Sequence, residues 1–263
     1  MNNIEIYPIP AFNDNYIWIM RQGDTAAVVD PGQAAPVLRE LESKGLTLKA
    51  ILITHHHDDH TGGVRALVDK YGADVYGPTF ESRPIPALSH ELKEGDCVQI
   101  KGIDTELQVL EVPGHTLGHI AYTGTINAQQ PVLFCGDTLF SCGCGRIFEG
   151  DSRLMLQSID KFINLPQNTS IYCAHEYTLS NIDWALQVEP ANQALLAWQR
   201  RARELRAQDL PTLPTTIAQE RATNPFMRVR EQSVIAAAES YAGITLDEPA
   251  AVFGTLREWK NHS

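Results

Sequence analysis

Seven residues constrain this chain more than any other stretch: Thr54-His55-His56-His57-Asp58-Asp59-His60, directly after the apolar run 50–53. That run reads as a buried strand, and side chains alternate along an extended segment. His55 and His57 therefore point one way and His56 the other. Asp59 and His60 fall where the chain must turn, because Thr61-Gly62-Gly63 opens a helical pattern. A strand end running into a helix thus gathers three imidazoles and a carboxylate in a small space. That donor mixture suits zinc, iron or manganese. A solvated polar loop is the plain alternative, but an HxHxDH pattern arises by chance in a chain of this size with odds on the order of 10⁻⁴ at ordinary composition.

Further donors follow apolar runs downstream. His115 comes after 107–112 and Pro113-Gly114, Asp137 after 132–135 and Gly136, and His175 after 170–174. Ligands are held best at the ends of rigid elements. A single His or Asp after a strand is usually a turn residue; three of them beside HxHxDH reverse those odds.

The rest of the patterning sets the fold class. Short β-rich runs at 4–10, 16–20, 26–30, 50–54, 107–112 and 132–135 alternate with helical patterns at 34–44, 61–71 and 152–164. Strands interleaved with helices predict a layered α/β domain. From about residue 180 the strand signal fades, and helices are expected at 182–188, 193–207, 231–241 and 249–260, with Pro190, Pro211, Pro214 and Pro225 as breaks. The expected division is therefore 1–175 and 176–263.

Charge narrows the partners. The 263 residues carry a net charge of −11, and 1–174 hold 12 basic against 21 acidic residues. A nucleic-acid-coating protein needs a basic face, and docking on anionic membranes needs one too, so neither partner is expected. No stretch approaches the roughly 20 apolar residues of a bilayer span. The start MNNIEIYPIP lacks the basic and apolar regions of a signal peptide. Five cysteines without framework spacing fit reduced thiols and a cytoplasmic location.

The ordered series His55-x-His57-x-Asp59-His60, His115, Asp137, His175 resembles the metal ligands of the metallo-β-lactamase superfamily, and Asp30 in Val29-Asp30-Pro31-Gly32 sits where that superfamily has an acidic residue behind the ligands. The resemblance implies an αββα sandwich over 1–175, followed here by a smaller all-α C-terminal domain. Seven ligands are too many for one tetrahedral ion. By resemblance, His55, His57 and His115 hold one divalent metal, Asp59, His60 and His175 a second, and Asp137 bridges both. Asp59 and Asp137 then hold a bridging hydroxide and are the catalytic pair. Zinc comes first among the metals, with iron and manganese also accepted by these donors.

Further motifs narrow the superfamily. Asn13-Asp14-Asn15-Tyr16, Gly136-Asp137-Thr138-Leu139-Phe140, Gly143-Cys144-Gly145-Arg146, His175-Glu176-Tyr177-Thr178 with Asn181, and Asn224-Pro225-Phe226-Met227-Arg228-Val229-Arg230 together resemble the glyoxalase II (hydroxyacylglutathione hydrolase) family across essentially the whole chain. The resemblance implies a thioesterase that takes S-D-lactoylglutathione and related thioesters, the second step of methylglyoxal detoxification; a monomer is expected, though the sequence leaves the oligomeric state open. It assigns the glutathione portion to Arg146, Tyr177, Asn181, Arg257 and Lys260. Phe148 stands where some members have a Tyr, which removes one hydroxyl from the substrate site.

Read on spacing alone, Arg257 and Lys260 at i, i+3 are an ordinary solvated helix face; the resemblance makes them a carboxylate clamp. Rival members of the superfamily fit less well. A persulfide dioxygenase should lack the 224–230 motif and the final Arg-x-x-Lys, several β-lactamases have Cys where Asp137 stands, and a nuclease would prefer a basic groove. A non-catalytic relative should have lost ligands. His56 is expected to be a hydrogen-bonded structural residue, His119 to share a turn with His115, and His90 and His262 to lie on the surface. Cys142-Gly143-Cys144-Gly145 reads as a tight turn rather than a redox site, with Cys135 and Cys173 as small core residues.

Overall fold

Strands that read as unbroken apolar runs prove to be covered on both faces. The computed structural model describes residues 3–263. These divide into one unit of Met1–Glu111 with Gly118–Gly136, and another of Val112–Leu117 with Asp137–Ser263.

In the first unit, β1 (Glu5–Ala11), β2 (Asn15–Gln22), β3 (Thr25–Val29), β4 (Thr47–Leu52), β5 (Asp74–Pro78) and β6 (His90–Leu92) form a mixed sheet in that order. β1, β2 and β3 pair antiparallel, and β3 to β6 run parallel. A second, antiparallel sheet holds β7 (Cys97–Gln99), β8 (Glu106–Glu111), β9 (Ile120–Ile126) and β10 (Gln130–Gly136). Ile17, Ile19, Val28 and Ile51 of the first sheet pack with Val37 and Leu41 of α1 (Ala34–Lys44) and with Val64 and Leu67 of α3 (Val64–Tyr71). Each such burial contributes about 1.5–3 kcal/mol. Trp18 and Met20, also buried, alternate to the sheet's other face. There Tyr122 of β9 donates its hydroxyl to the carbonyl of Ile53 at 2.8 Å.

One expectation is corrected here. The pattern 61–71 predicts a single helix, but the chain forms α2 (Asp58–Thr61) and then α3, broken at Gly62-Gly63. A Cβ on Gly62 would lie 2.8 Å from the carbonyl oxygen of Gly32, and one on Gly63 2.5 Å from that of Pro31. The glycine pair lets backbone pack directly on backbone, and the Gly63 N–H donates to the Pro31 carbonyl at 2.8 Å.

The second unit holds the two-stranded hairpin β11 (Leu139–Phe140) and β12 (Gly143–Cys144), then α4 (Ser152–Ile163) and β13 (Ser170–Cys173). The helical tail follows as α5 (Thr178–Val188), α6 (Gln193–Arg206), α7 (Ile217–Thr223), α8 (Gln232–Ala242) and α9 (Pro249–Asn261). A two-residue strand β14 (Thr215–Thr216), paired with β13, interrupts it. Side-chain caps set three helix starts: Asp151 accepts from the Leu154 N–H at 2.8 Å, Asn192 from that of Leu195 at 3.1 Å and Thr216 from that of Gln219 at 3.1 Å. No helix among the described residues is long and apolar enough to cross a membrane.

Candidate metal centre

Within the first unit, β4 ends at Leu52 and hands its direction to the histidine run. His55 is buried, and its Nε2 lies 3.0 Å from Nδ1 of His57. His57 has extended backbone and caps α2, whose single turn carries Asp59 and His60. The His55 and His60 rings are 4.1 Å apart. His60 Nε2 lies 3.5 Å from Asp59 Oδ2, and Asn15 donates to that oxygen at 3.0 Å. His56 turns away, as the alternation predicts: its N–H donates to Glu81 Oε2 at 2.8 Å and its Nδ1 lies 2.9 Å from the same oxygen.

Asp30 organises this run from behind. Its carboxylate accepts the Thr54 N–H and the Thr54 hydroxyl, each at 2.8 Å, and lies 3.1 Å from His60 Nδ1. Asp30 itself sits at φ 52°, in the left-handed region that costs a non-glycine residue energy.

Within the second unit, His115, Asp137 and His175 converge. Asp137 Oδ2 lies 3.5 Å from His115 Nε2, and its Oδ1 lies 3.3 Å from His175 Nε2. Gly145 makes room for this arrangement, since a Cβ there would come within 2.0 Å of the Asp137 carbonyl oxygen and 3.0 Å of His115 Nδ1. The His175 ring stacks on Tyr177 with centroids 4.7 Å apart. Phe148 meets the His115 ring edge-on at 5.3 Å and is largely exposed.

Hydrogen bonds fix two tautomers. The Thr54 hydroxyl spends its proton on Asp30, so at 3.0 Å from His55 Nδ1 it accepts. His115 Nδ1 faces the Arg146 carbonyl at 2.8 Å, an acceptor only. Both rings therefore carry the proton on Nδ1 and present a bare Nε2 lone pair. On His115 that lone pair faces a carboxylate oxygen, and on His55 it faces the His57 ring. A carboxylate oxygen facing an imidazole lone pair, as at Asp137 and His115, favours a cation between them, and the imidazole and carboxylate donors in each unit fit a divalent metal.

Beside this triad the second unit holds an open cavity of about 740 Å³. His115 and Asp137 line it, together with Arg146, Tyr177, Asn181, Arg257 and Lys260. The two cations of α9 are not a solvated face. Arg257 is buried and donates to the Cys144 carbonyl at 2.8 Å and to Asn261 Oδ1 at 3.1 Å. Lys260 Nζ sits 5.0 Å above the Trp184 ring. Burial and the neighbouring Arg257 charge lower its pKa from the usual 10.5 to about 8. Asn181 donates to the Ser141 carbonyl at 2.9 Å and closes the wall behind the β11–β12 hairpin.

The Asn224–Arg230 motif proves to be the brace of this wall. Asn224 Nδ2 reaches the carbonyls of Phe140 and Gly143 at 3.1 and 2.9 Å, and Phe226 packs between Trp184 and Phe253. Cys142 and Cys144 are free, buried thiols whose pKa burial pushes up, in keeping with a turn rather than a redox pair. His90 and His262 are exposed, as expected. Two buried groups escaped the sequence reading. Glu81 lies on a three-residue 3-10 turn with no periodic signal, and Glu220 accepts from Cys142 N–H, Thr215 hydroxyl and Asn224 amide inside the second unit.

Comparison with known proteins places these features in context. The family model described as Metallo-beta-lactamase superfamily matches residues 11–175, and that described as Hydroxyacylglutathione hydrolase C-terminus matches residues 176–263. The hydroxyacylglutathione hydrolase of Nitrosomonas europaea is 49% identical over 98% of this chain and 96% of its own length. That of Cupriavidus taiwanensis is 51% identical over 98% and 99%. Among solved structures, the BLEG-1 B3 metallo-beta-lactamase matches with a TM-score of 0.62 at 26% identity, covering 85% of this chain and 99% of that one.

Proposed function

The chain belongs to the hydroxyacylglutathione hydrolase family of the metallo-beta-lactamase superfamily, and on that premise we propose that it hydrolyses S-D-lactoylglutathione and related S-2-hydroxyacylglutathiones to glutathione and the free 2-hydroxy acid, the second step of methylglyoxal detoxification. It acts as a hydrolase on thioester bonds. The observation that carries the proposal is the cationic pair of buried Arg257 and half-buried Lys260 in the same cavity wall as His115 and Asp137, which joins an anion clamp to the proposed metal-ligating triad.

We assign two divalent ions, zinc foremost, to the seven donors His55, His57, His115, Asp59, His60, His175 and the bridging Asp137. The donor chemistry of each unit, taken alone, supports this. Such a pair of ions, when bound, supplies water acidified to a pKa of about 7 and polarises the thioester carbonyl.

This chain's own residues do the remaining work. Arg257, Lys260 and Arg146 are assigned to the carboxylates of the tripeptide, and Tyr177 and Asn181 to its backbone. Asp59, steadied at Oδ2 by Asn15, orients the attacking water and takes its proton. The ring of Phe148, edge-on to His115, offers no hydroxyl to the substrate. The thiolate departs without a general acid, because a thiol is already a weak base near neutral pH. Five cysteines without framework spacing support a reducing, cytoplasmic setting.

A hydrolysis assay on S-D-lactoylglutathione with parallel metal analysis tests the reading. Turnover in a sample holding about two metals per chain is expected. A sample with that metal content and no thioesterase activity overturns it.

A further inference from the structure

His119 is fully buried, and its ring lies nearly parallel to that of His55, centroids 4.6 Å apart at 19°. Backbone holds this stack at both edges. On one side the N–H of Ile120, the residue after His119, donates to the carbonyl of Thr54, the residue before His55, at 2.9 Å. On the other side stands Glu81, whose buried carboxylate accepts the N–H of His56 through Oε2 at 2.8 Å and the N–H of Gly118 through Oε1 at 2.9 Å. The two residues flanking His55 are therefore tied to the two residues flanking His119, one pair directly and the other through Glu81. Two glycines complete the fit. A Cβ on Gly136, at φ 48°, would come within 2.8 Å of the His119 ring, and one on Gly118 within 2.6 Å of Glu81 Cγ.

A single hydrogen bond at Nδ1 fixes one atom of an imidazole. It leaves the ring free to tip about the axis through that atom and Cβ, which would swing Nε2 off its target. A flat ring lying against one face blocks the tip. For that purpose the face matters and the ring nitrogens do not.

We propose that His119 and Glu81 are positioning residues for His55: His119 braces the face of the ring, and Glu81 locks the two chain segments that carry the two rings. This rests on the reading of His55 as a metal ligand. Partners of this kind behind a ligand are typically worth a 10–100-fold change in metal affinity. Glu81 uses both carboxylate oxygens on separate N–H donors, so a glutamine, which has one acceptor oxygen and turns an amide N–H toward the other donor, undoes one tie.

The test is metal release from the full-length holoprotein into excess chelator, followed colorimetrically, beside the melting temperature of the metal-stripped protein. His119→Leu and Glu81→Gln should bind metal about 10–100-fold more weakly. His119→Phe, which keeps the flat face, should stay close to the unsubstituted chain, and the stripped Leu and Phe variants should melt together. Metal retention in His119→Leu equal to that of the unsubstituted chain overturns the proposal. So does a loss in His119→Phe as deep as in His119→Leu, or a loss in His119→Leu matched by a lower melting temperature than that of His119→Phe. The ligand reading fails separately: His55→Ala would then keep its full metal content.

Discussion

Arg257 donates through Nη1 to the carbonyl oxygen of Cys144 at 2.8 Å, so a guanidinium lining the cavity is anchored by a neutral backbone group and its charge is left uncompensated by that bond. Arg257→Ala should raise KM by about tenfold or more, the cost of a charged hydrogen bond of roughly 1.5–3 kcal/mol, with a much smaller change in kcat. Steady-state kinetics on S-D-lactoylglutathione decide this; an unchanged KM refutes the clamp.

Lys260 gives the same clamp a pH dependence. With its pKa at about 8, the ammonium is present below that pH and lost above it. KM should therefore climb as pH rises through about 8, and Lys260→Met should flatten that part of the profile. Stability runs the other way. Between about 8 and the unfolded value of 10.5 the native state gives up the proton while the unfolded chain keeps it, so folding becomes more favourable across that window. Denaturant titrations at pH 7.5 and 10 compare the two directions.

Asp137 links both histidines of its unit through separate carboxylate oxygens. Asp137→Ala should lose bound metal and thioesterase activity together. Full activity with two metals retained, measured by elemental analysis beside the assay, would remove Asp137 from its bridging role.

Glu220 is fully buried and accepts hydrogen bonds from the Cys142 N–H at 2.7 Å, the Thr215 hydroxyl at 2.6 Å and the Asn224 amide at 2.9 Å, with the Ser141 side chain also bonded to it. Glu220→Gln turns one acceptor into a donor pointed at another donor. A loss of about 1–3 kcal/mol of stability is expected, read as a lower denaturation midpoint with unchanged slope. A midpoint equal to that of the unsubstituted chain counts against the network.

What the sequence discloses follows from how local each signal is. The helix at 34–44 is legible to the residue because its apolar spacing and its closing Gly45 are both written locally. β5 went unread, since Asp74-Val75-Tyr76-Gly77-Pro78 is short and ends in turn residues; parallel pairing with β4 and β6 makes it a strand. The residues proposed as ligands stood out because histidine is rare and their order is particular. Glu81 did not, because its contacts with His56 and Gly118 are encoded by no spacing, and the spacing of His119 pointed to its neighbour His115 rather than to the His55 ring. The burial of Arg257 was hidden for the same reason: i, i+3 spacing describes a face, not what covers it.

The short helix α2 has a dynamic consequence. One turn has too few internal bonds to persist alone, so Asp59 and His60 owe their placement to the backbone seam of Gly62-Gly63 on Pro31-Gly32. The Gly63 N–H spans that seam. Its rate of exchange with deuterium therefore clocks how often the turn that carries Asp59 and His60 opens, and protection at this one amide reports the closed turn whether or not anything is bound there.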